Sequence, residues 1–169
     1  MKITRQEASK AAVLRSQAVI LFGIGPHTFA IPATDVDEIR DLHGLTSVAT
    51  STMRTAVAKV KSTLFRERKK YFVVDANQHF CLLPSKSSRV LILRESRSAV
   101  TVDSIDRIIE VPAVLPLPHA FHGDEQRWYR GVALLEDTVV PVVNSAAFLS
   151  PTEATLAQSL LRHAKGAAV

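Results

Sequence analysis

The chain has 169 residues and a formal net charge of +5, from 21 basic and 16 acidic side chains. Its composition, 47% apolar and 22% charged, is that of a globular protein and excludes an intrinsically disordered one. No apolar run approaches the roughly 20 residues that a membrane-spanning helix needs, no signal-peptide core follows the N-terminal charges, and a single cysteine excludes an intrachain disulfide. We therefore expect a cytoplasmic protein without membrane insertion.

Short strand segments dominate the middle of the chain. They are rich in β-branched or aromatic residues and are bounded by Gly, Pro, Ser or Asp, a pattern typical of small β-barrels. The predicted strands are 18–22, 27–31, 70–74, 89–93, 98–102, 128–135 and 138–143. Before them, residues 5–16 are predicted to form a short helix. Residues 53–64 favour a helical or irregular entry to a strand that begins at about Thr63.

The C-terminal segment carries the signals of a helix. Ser150 and Glu153 occupy the N-cap and third positions of a capping box, with a proline between them at the first helical position. A leucine stripe then continues up to Gly166. Three prolines within 112–118 predict an extended loop ahead of this helix. The sequence therefore predicts three parts: a tail or short helix over 1–17, a β domain over 18–149, and a helix and tail over 150–169.

The β domain contains one unit twice. Residues 30–39 align with 99–108, and residues 62–75 align with 131–144, both at an offset of 69 residues. Six of these 24 aligned positions are identical. With only two copies, the repeat predicts a pair of related subdomains and not a solenoid. A unit of this size is poor in core by itself, so we expect the two halves to share one hydrophobic interface.

Residues with catalytic or metal-binding chemistry do not form a convincing site. Asp75, His79 and Cys81 are close in sequence, whereas catalytic triads assemble from separate elements, so we interpret them as core residues, with a buried, unreactive thiol. His119 and His122 lie in a loop that offers no sufficient further ligands. The sequence predicts a protein that is not an enzyme and has no cofactor and no metal.

A basic stretch raises an alternative function. Residues 54–70 contain seven basic side chains and one acidic side chain, Glu67. A basic small-barrel protein could use such charges to bind nucleic acid or an anionic surface. Four of the seven fall in the segment RERKK, which the repeat places at a hairpin tip, where charges are simply solvated. Nucleic-acid binding is therefore the less favoured hypothesis.

Two repeat-equivalent pairs of apolar residues are candidates for partner contacts. Val36 and Ile39 are three residues apart, as are Ile105 and Ile108. At that spacing both members share one face only in a helical turn or in a bulged strand. Either duplicated core packing or a pair of partner-facing apolar turns would produce this pattern.

An ordered set of segments resembles the CheW-like domain of bacterial chemotaxis coupling proteins. The segments span about residues 18–149 and are FAIPATDVDEIR, YFVVDANQHFCL, SRVLIL, AVTVDSIDRIIEV and WYRGVALLEDTVVPVV. The resemblance implies a mainly β fold of two five-stranded, SH3-like barrels, followed here by the C-terminal helix. It also implies a non-enzymatic adapter that docks the regulatory domain of a CheA-type histidine kinase and the cytoplasmic tip of chemoreceptors. Through these partners a cytoplasmic protein would join membrane receptor arrays.

The resemblance assigns partner contacts to Val36, Glu38, Ile39, Arg40, Glu67, Arg68, Ala99, Ile105 and Ile108. It implies that Val36→Glu or Ile105→Glu weakens partner binding while the fold survives. Glu67 and Arg68 occupy positions where the family usually has Arg and Gly, and Phe72 replaces a proline. Because a residue with a Cβ resists positive φ, and because the first change reverses a charge, we expect one partner interface to be altered.

Overall fold

The computed structural model describes residues 16–43 and 57–166, with side chains up to residue 162. Within these residues the chain forms ten strands, three helices and two 3-10 turns. The strands are β1 (Gln17–Ile24), β2 (His27–Pro32), β3 (Val36–Asp41), β4 (Val60–Arg66), β5 (Lys69–Asp75), β6 (Arg89–Leu93), β7 (Ser98–Val102), β8 (Ser104–Val111), β9 (Tyr129–Leu135) and β10 (Thr138–Val143). The helices are α1 (Ala76–His79), α2 (Glu125–Trp128) and α3 (Pro151–Gly166), and the 3-10 turns are Ala33–Asp35 and Ser145–Ala147.

All seven predicted strands are present, as β1, β2, β5, β6, β7, β9 and β10. Strand β4 begins at Val60, a few residues before the predicted start at Thr63. The predicted helix over 5–16 falls almost entirely outside the described residues, and so does the first part of the 53–64 segment. Strands β3 and β8 contain the two apolar pairs that sequence reasoning left between a helical turn and a bulged strand.

Each of the two five-stranded sheets contains strands from both copies of the repeat. The first sheet has the order β8-β1-β2-β10-β9, and the second has the order β3-β6-β7-β5-β4. The repeat makes β3, β4 and β5 equivalent to β8, β9 and β10, and β1 and β2 equivalent to β6 and β7. Each sheet therefore combines the first two strands of one copy with the last three of the other. The chain has the mainly β, double five-stranded architecture that the sequence predicts, although the sheets do not close into hydrogen-bonded barrels.

The pairing registers obey the same symmetry. Strands β2 and β10 are parallel, with Ala30 opposite Val142. Strands β5 and β7 are also parallel, with Val73 opposite Ala99. Ala30 plus 69 is Ala99, and Val73 plus 69 is Val142, so the repeat makes the two pairs equivalent. The offset read from the sequence therefore holds at the level of individual strand pairs.

Three apolar clusters form the core. One lies inside each sheet, and the two are repeat-equivalent, as Val73 and Ala99 in the second sheet correspond to Val142 and Ala30 in the first. The third and largest cluster lies between the sheets; it combines alternate residues of β1 and β2 with residues of β5, β6 and β7. Both faces of β1 are thus buried, as expected for a strand that reads as a continuous apolar run. The predicted shared interface is this third cluster, called the inter-sheet core below.

Helix α3 begins at the predicted capping box and packs on the inter-sheet core. The backbone N–H of Ser150 donates to Glu153 Oε2 at 2.7 Å, and the backbone N–H of Glu153 donates to Ser150 Oγ at 3.1 Å. Ala157 and Leu161 on the inner face of the helix are members of the inter-sheet core. The seam between the sheets is therefore filled by side chains, and α3 covers part of it. No helix in the described part of the chain is long and apolar enough to cross a membrane.

Candidate partner-binding surfaces

A bulge sets the direction of side chains in β3. Val36 is opposite Leu93 of β6 and Glu38 is opposite Ile92, so Asp37 is the extra residue of the bulge. Val36 is 7% exposed and belongs to the inter-sheet core, whereas Ile39 is 38% exposed. The bulged-strand interpretation is therefore confirmed, but the two apolar residues do not share one environment.

Strand β8 repeats this arrangement. Leu21 of β1 is opposite Arg107 and Phe22 is opposite Ile105, which makes Asp106 the extra residue. Ile105 is partly buried against the inter-sheet core, and Ile108 is 63% exposed. In both strands the first apolar residue packs inward and the second faces outward. The sequence left core packing and partner contact as alternatives for each pair. In the structure one member of each pair packs in the core and the other is exposed.

Burial changes the expected effect of substitutions at two predicted contact residues. Val36 and Ala99 are both buried, Val36 in the inter-sheet core and Ala99 in the core of the second sheet. A glutamate at Val36 would place an unpaired carboxylate among apolar side chains, which is strongly unfavourable. We therefore expect Val36→Glu to destabilise the fold, in contrast to the expectation drawn from the resemblance.

Glu38 and Arg40 form an ion pair with each other. Arg40 Nη2 lies 3.1 Å from Glu38 Oε2, and Arg40 Nε donates to Glu38 Oε1. The hydrogen bond from Arg40 is the main cause that lowers the pKa of the Glu38 carboxyl, and the same bond raises the pKa of Arg40. A partner that approaches β3 would thus meet a preformed pair that is oriented along the strand.

Arg66 connects the two outer strands of the second sheet. From the end of β4, its guanidinium donates to Asp37 and lies 2.6 Å from Glu38 Oε2 on β3. These contacts draw the free edges of the sheet together, although no backbone hydrogen bonds join them. In the first sheet the equivalent position is Leu135, so this ionic link belongs to one half of the molecule.

The β4–β5 turn keeps a left-handed backbone without glycine. Glu67 has φ of 47° and Arg68 has φ of 65°, and both side chains are exposed. In the equivalent β9–β10 turn Glu136 also has a positive φ, 51°. Each such residue costs about 1–2 kcal/mol relative to its preferred conformation. The departure from the family pattern therefore changes the charge of this turn while Arg68 still adopts a positive φ.

Sequence reasoning missed one pair of exposed apolar residues. Phe65 on β4 is 64% exposed, and its repeat equivalent, Leu134 on β9, is 54% exposed. Both strands are sheet edges, and both residues lie just before a hairpin turn. Each residue alone looks like an ordinary apolar strand position. The offset of 69 residues, which relates Phe65 to Leu134, is the signal that would have identified them as a pair. Lys70 Nζ lies 5.6 Å from the centroid of the Phe65 ring.

His79 is a core residue, as predicted. It is 5% exposed and contacts the rings of Phe80, Trp128 and Phe148. Burial, with the nearby charge of Lys59 as a second cause, lowers its pKa to about 3, so the imidazole is neutral at physiological pH. The Lys59 ammonium lies 3.4 Å from Nδ1, which makes Nδ1 the acceptor. A neutral, enclosed ring of this kind serves packing.

Cys81 does not occupy the buried position expected for it. Helix α1 ends at His79, Phe80 points into the aromatic cluster, and Cys81 follows with φ of 54° and an exposed side chain. Asp75 accepts a hydrogen bond from the backbone N–H of Asn77 and caps α1. Among the described residues no group of three His, Cys, Asp or Glu side chains is placed to hold a metal ion.

Ion pairs within the chain engage part of the basic stretch. Lys59 pairs with Glu153 at 2.9 Å, Lys61 lies 3.9 Å from Asp75, and Arg66 is bound to β3. The first basic residue, Arg54, is outside the described residues. The stretch is therefore less of a free cationic surface than its composition indicates.

The architecture places the protein in the class of duplicated, double five-stranded β domains. A family model described as CheW-like domain matches residues 18–153, so the chain belongs to the CheW-like domain family. This is a family of chemotaxis scaffolds and adapters. The crystal structure of the scaffolding protein TtCheW from Thermoanaerobacter tengcongensis is similar, with a TM-score of 0.66 and 14% identity, over 77% of this chain and 90% of that chain. No curated protein matches the sequence.

Proposed function

We propose that the protein is a non-enzymatic adapter that couples chemoreceptors to the regulatory domain of a CheA-type histidine kinase. Membership of the CheW-like family supports this function. The observation that carries it is the exposure of Ile39 and Ile108 at repeat-equivalent positions on the outer strands β3 and β8. Two matched apolar residues on outer strands are suited to contact the apolar face of a partner helix.

Ile39 and Ile108 are the proposed receptor contacts, with Ile105 at the margin of the inter-sheet core. Val36 and Ala99 contribute indirectly to the Ile39 contact, because Val36 anchors β3 in the inter-sheet core and Ala99 packs against β6, the strand that pairs with β3. Burial of one isoleucine side chain contributes about 1.5–3 kcal/mol, so each contact alone is weak. Strength would come from many copies assembled beside receptors at a membrane, since linked contacts gain effective concentration.

The β4–β5 turn is the proposed second surface, for the kinase. Glu67 and Arg68 are exposed at its tip, and Phe65 extends the surface along β4. Glu67 stands where the resemblance implies an arginine. An interface that retains this docking site would therefore need a basic residue, not an acidic one, opposite Glu67, because like charges brought together in an interface are repulsive.

Co-sedimentation with receptor-containing membranes and the kinase tests the coupling function. We expect the protein to pellet only when receptors are present, and Ile39→Glu and Ile108→Glu to reduce the pelleted fraction at least about tenfold, the loss of one side-chain burial. The matched control is Leu83→Glu, an equally drastic change at an exposed position outside both surfaces. Circular dichroism verifies that each variant is folded. Unchanged pelleting of both isoleucine variants would contradict the assignment of the receptor surface.

The alternative of nucleic-acid binding has its own test. In a mobility-shift assay with duplex DNA at about 150 mM salt, purely electrostatic binding fades as counterions compete. We expect no shift at micromolar protein. A shift that persists at this salt concentration, together with absence from receptor membranes, would favour the alternative.

A further inference from the structure

A groove runs along one side of α3. Its volume is about 730 Å³, and it lies between α3, the β6–β7 turn and the loop that follows β10. Phe72, Leu149 and Ala154 form an apolar floor. A second depression of about 190 Å³ continues it towards β5 and shares Gln158 and Arg162 with it.

The rim of this groove is basic. Arg97 from the β6–β7 turn and Arg162 from α3 line the groove, and Lys70 lines its continuation. Neither arginine forms an ion pair with a described residue, whereas most other arginines in the described part of the chain do. No aspartate or glutamate side chain lines either depression. An apolar floor beside two arginines that pair with no described acidic side chain is complementary to an apolar surface flanked by carboxylates.

The remaining segments of this sequence do not have that chemistry. Residues 1–15 contain four basic side chains and one acidic side chain, residues 44–56 contain one basic and no acidic side chain, and residues 167–169 have no charged side chain. Each would be repelled by the rim or would leave it unpaired. The charge pattern therefore favours an occupant from another molecule.

We propose that this groove docks an acidic amphipathic helix of a partner protein, with Arg97 and Arg162, which belong to neither surface of the proposed coupling function, as its charged contacts. The part of α3 that lines it, Pro151–Arg162, is 12 residues long, which corresponds to about 18 Å or three helical turns. A partner helix of similar length would lay apolar side chains at i, i+3, i+4 and i+7 on the floor. Its carboxylates would then meet Arg97 and Arg162 on the rim.

The probe is a fluorescein-labelled peptide of about 14 residues with leucines at those positions and glutamates elsewhere, compared with a counterpart in which lysines replace the glutamates. In fluorescence anisotropy at about 50 mM salt, we expect the acidic peptide to bind and the basic one not to bind. Arg97→Glu and Arg162→Glu should each weaken binding at least about fivefold, and together more than about twentyfold. The matched control is Lys86→Glu, which makes the same charge change at an exposed residue that lines neither depression.

Backbone amide shifts of the labelled protein show where the peptide binds, and we expect them to cluster on α3 and the β6–β7 turn. The assignment would be overturned if both peptides bound equally, if the shifts lay on β3, β8 or the β4–β5 turn, or if no binding occurred up to millimolar peptide. Displacement of the peptide by phosphatidylglycerol vesicles but not by phosphatidylcholine vesicles would instead assign the groove to an anionic membrane. A dimer mass in analytical ultracentrifugation that falls to the monomer mass when the peptide is added would assign it to a second copy of this chain. None of these outcomes depends on receptors or kinase.

Discussion

Replacement of Gly131 by alanine should detach the proline-rich segment from the first sheet. Gly131 lies in β9, and an added Cβ would be 2.1 Å from the carbonyl oxygen of Leu115 and 2.8 Å from Val114 Cγ1. Carbon and oxygen atoms do not approach so closely, so the backbone at Leu115 has to move by about 1 Å. Leu115 and the next residue of β9, Val132, exchange two backbone hydrogen bonds of 2.8 and 2.9 Å.

The magnitude follows from these contacts. Loss of the two hydrogen bonds costs about 1–3 kcal/mol, and partial exposure of Val114, which packs on the core of the first sheet, adds about 1 kcal/mol. We therefore expect Gly131→Ala to lower the free energy of unfolding by about 2–4 kcal/mol, measured by urea denaturation. Amide exchange at Leu115 should accelerate at the same time.

Gly23→Ala is the matched control, since Gly23 also lies in a strand, β1. Its added Cβ would approach the hydroxyl of Ser104 at 2.7 Å, and a hydroxyl can rotate away where a backbone carbonyl cannot. We expect a change below about 1 kcal/mol. If Gly131→Ala were as stable as the wild type, or if Gly23→Ala were the more damaging substitution, the close approach of the extended segment to β9 would be refuted.

Three further predictions concern stability. Arg68→Gly should raise the urea midpoint by the equivalent of about 0.5–1 kcal/mol, because glycine adopts the positive φ of that turn without strain, and a lower midpoint would contradict this. The pKa of His79 is about 3 in the folded state and 6.5 in an ordinary histidine, so protonation favours the unfolded chain. The free energy of unfolding should therefore fall as the pH drops from about 6.5 towards 3, by up to about 1.4 kcal/mol per pH unit. His79→Phe should flatten this dependence in urea titrations between pH 4 and pH 6, and equal slopes would exclude His79 as its source. Ser150→Ala should lower the free energy of unfolding by about 1 kcal/mol, because α3 loses its cap, and the thermal midpoint should fall. An unchanged midpoint would show that the capping box does not stabilise the protein.

Local signals were reliable wherever the local sequence chooses the structure. The capping box at Ser150 and Glu153 forms as expected, and α3 ends at the predicted Gly166. Strands such as β6 and β10 match their predicted bounds, because β-branched runs between turn residues have few alternatives. The orientation of the Val36 and Ile39 side chains could not be predicted from the local sequence. It depends on the bulge at Asp37, which arises only when β3 pairs with β6.

The sequence by itself determined that one unit occurs twice with an offset of 69 residues, that the unit is made of short strands, and that a helix follows it, because repeat identity, hydrophobic pattern and capping are all local properties. The tertiary structure decided that the copies exchange strands, that α3 packs on the seam, and that Ile39 and Ile108 remain exposed while Val36 and Ala99 do not. These features depend on contacts between residues far apart in the chain. Several pairings satisfy the same strand pattern, and only the packing of the whole core selects one of them.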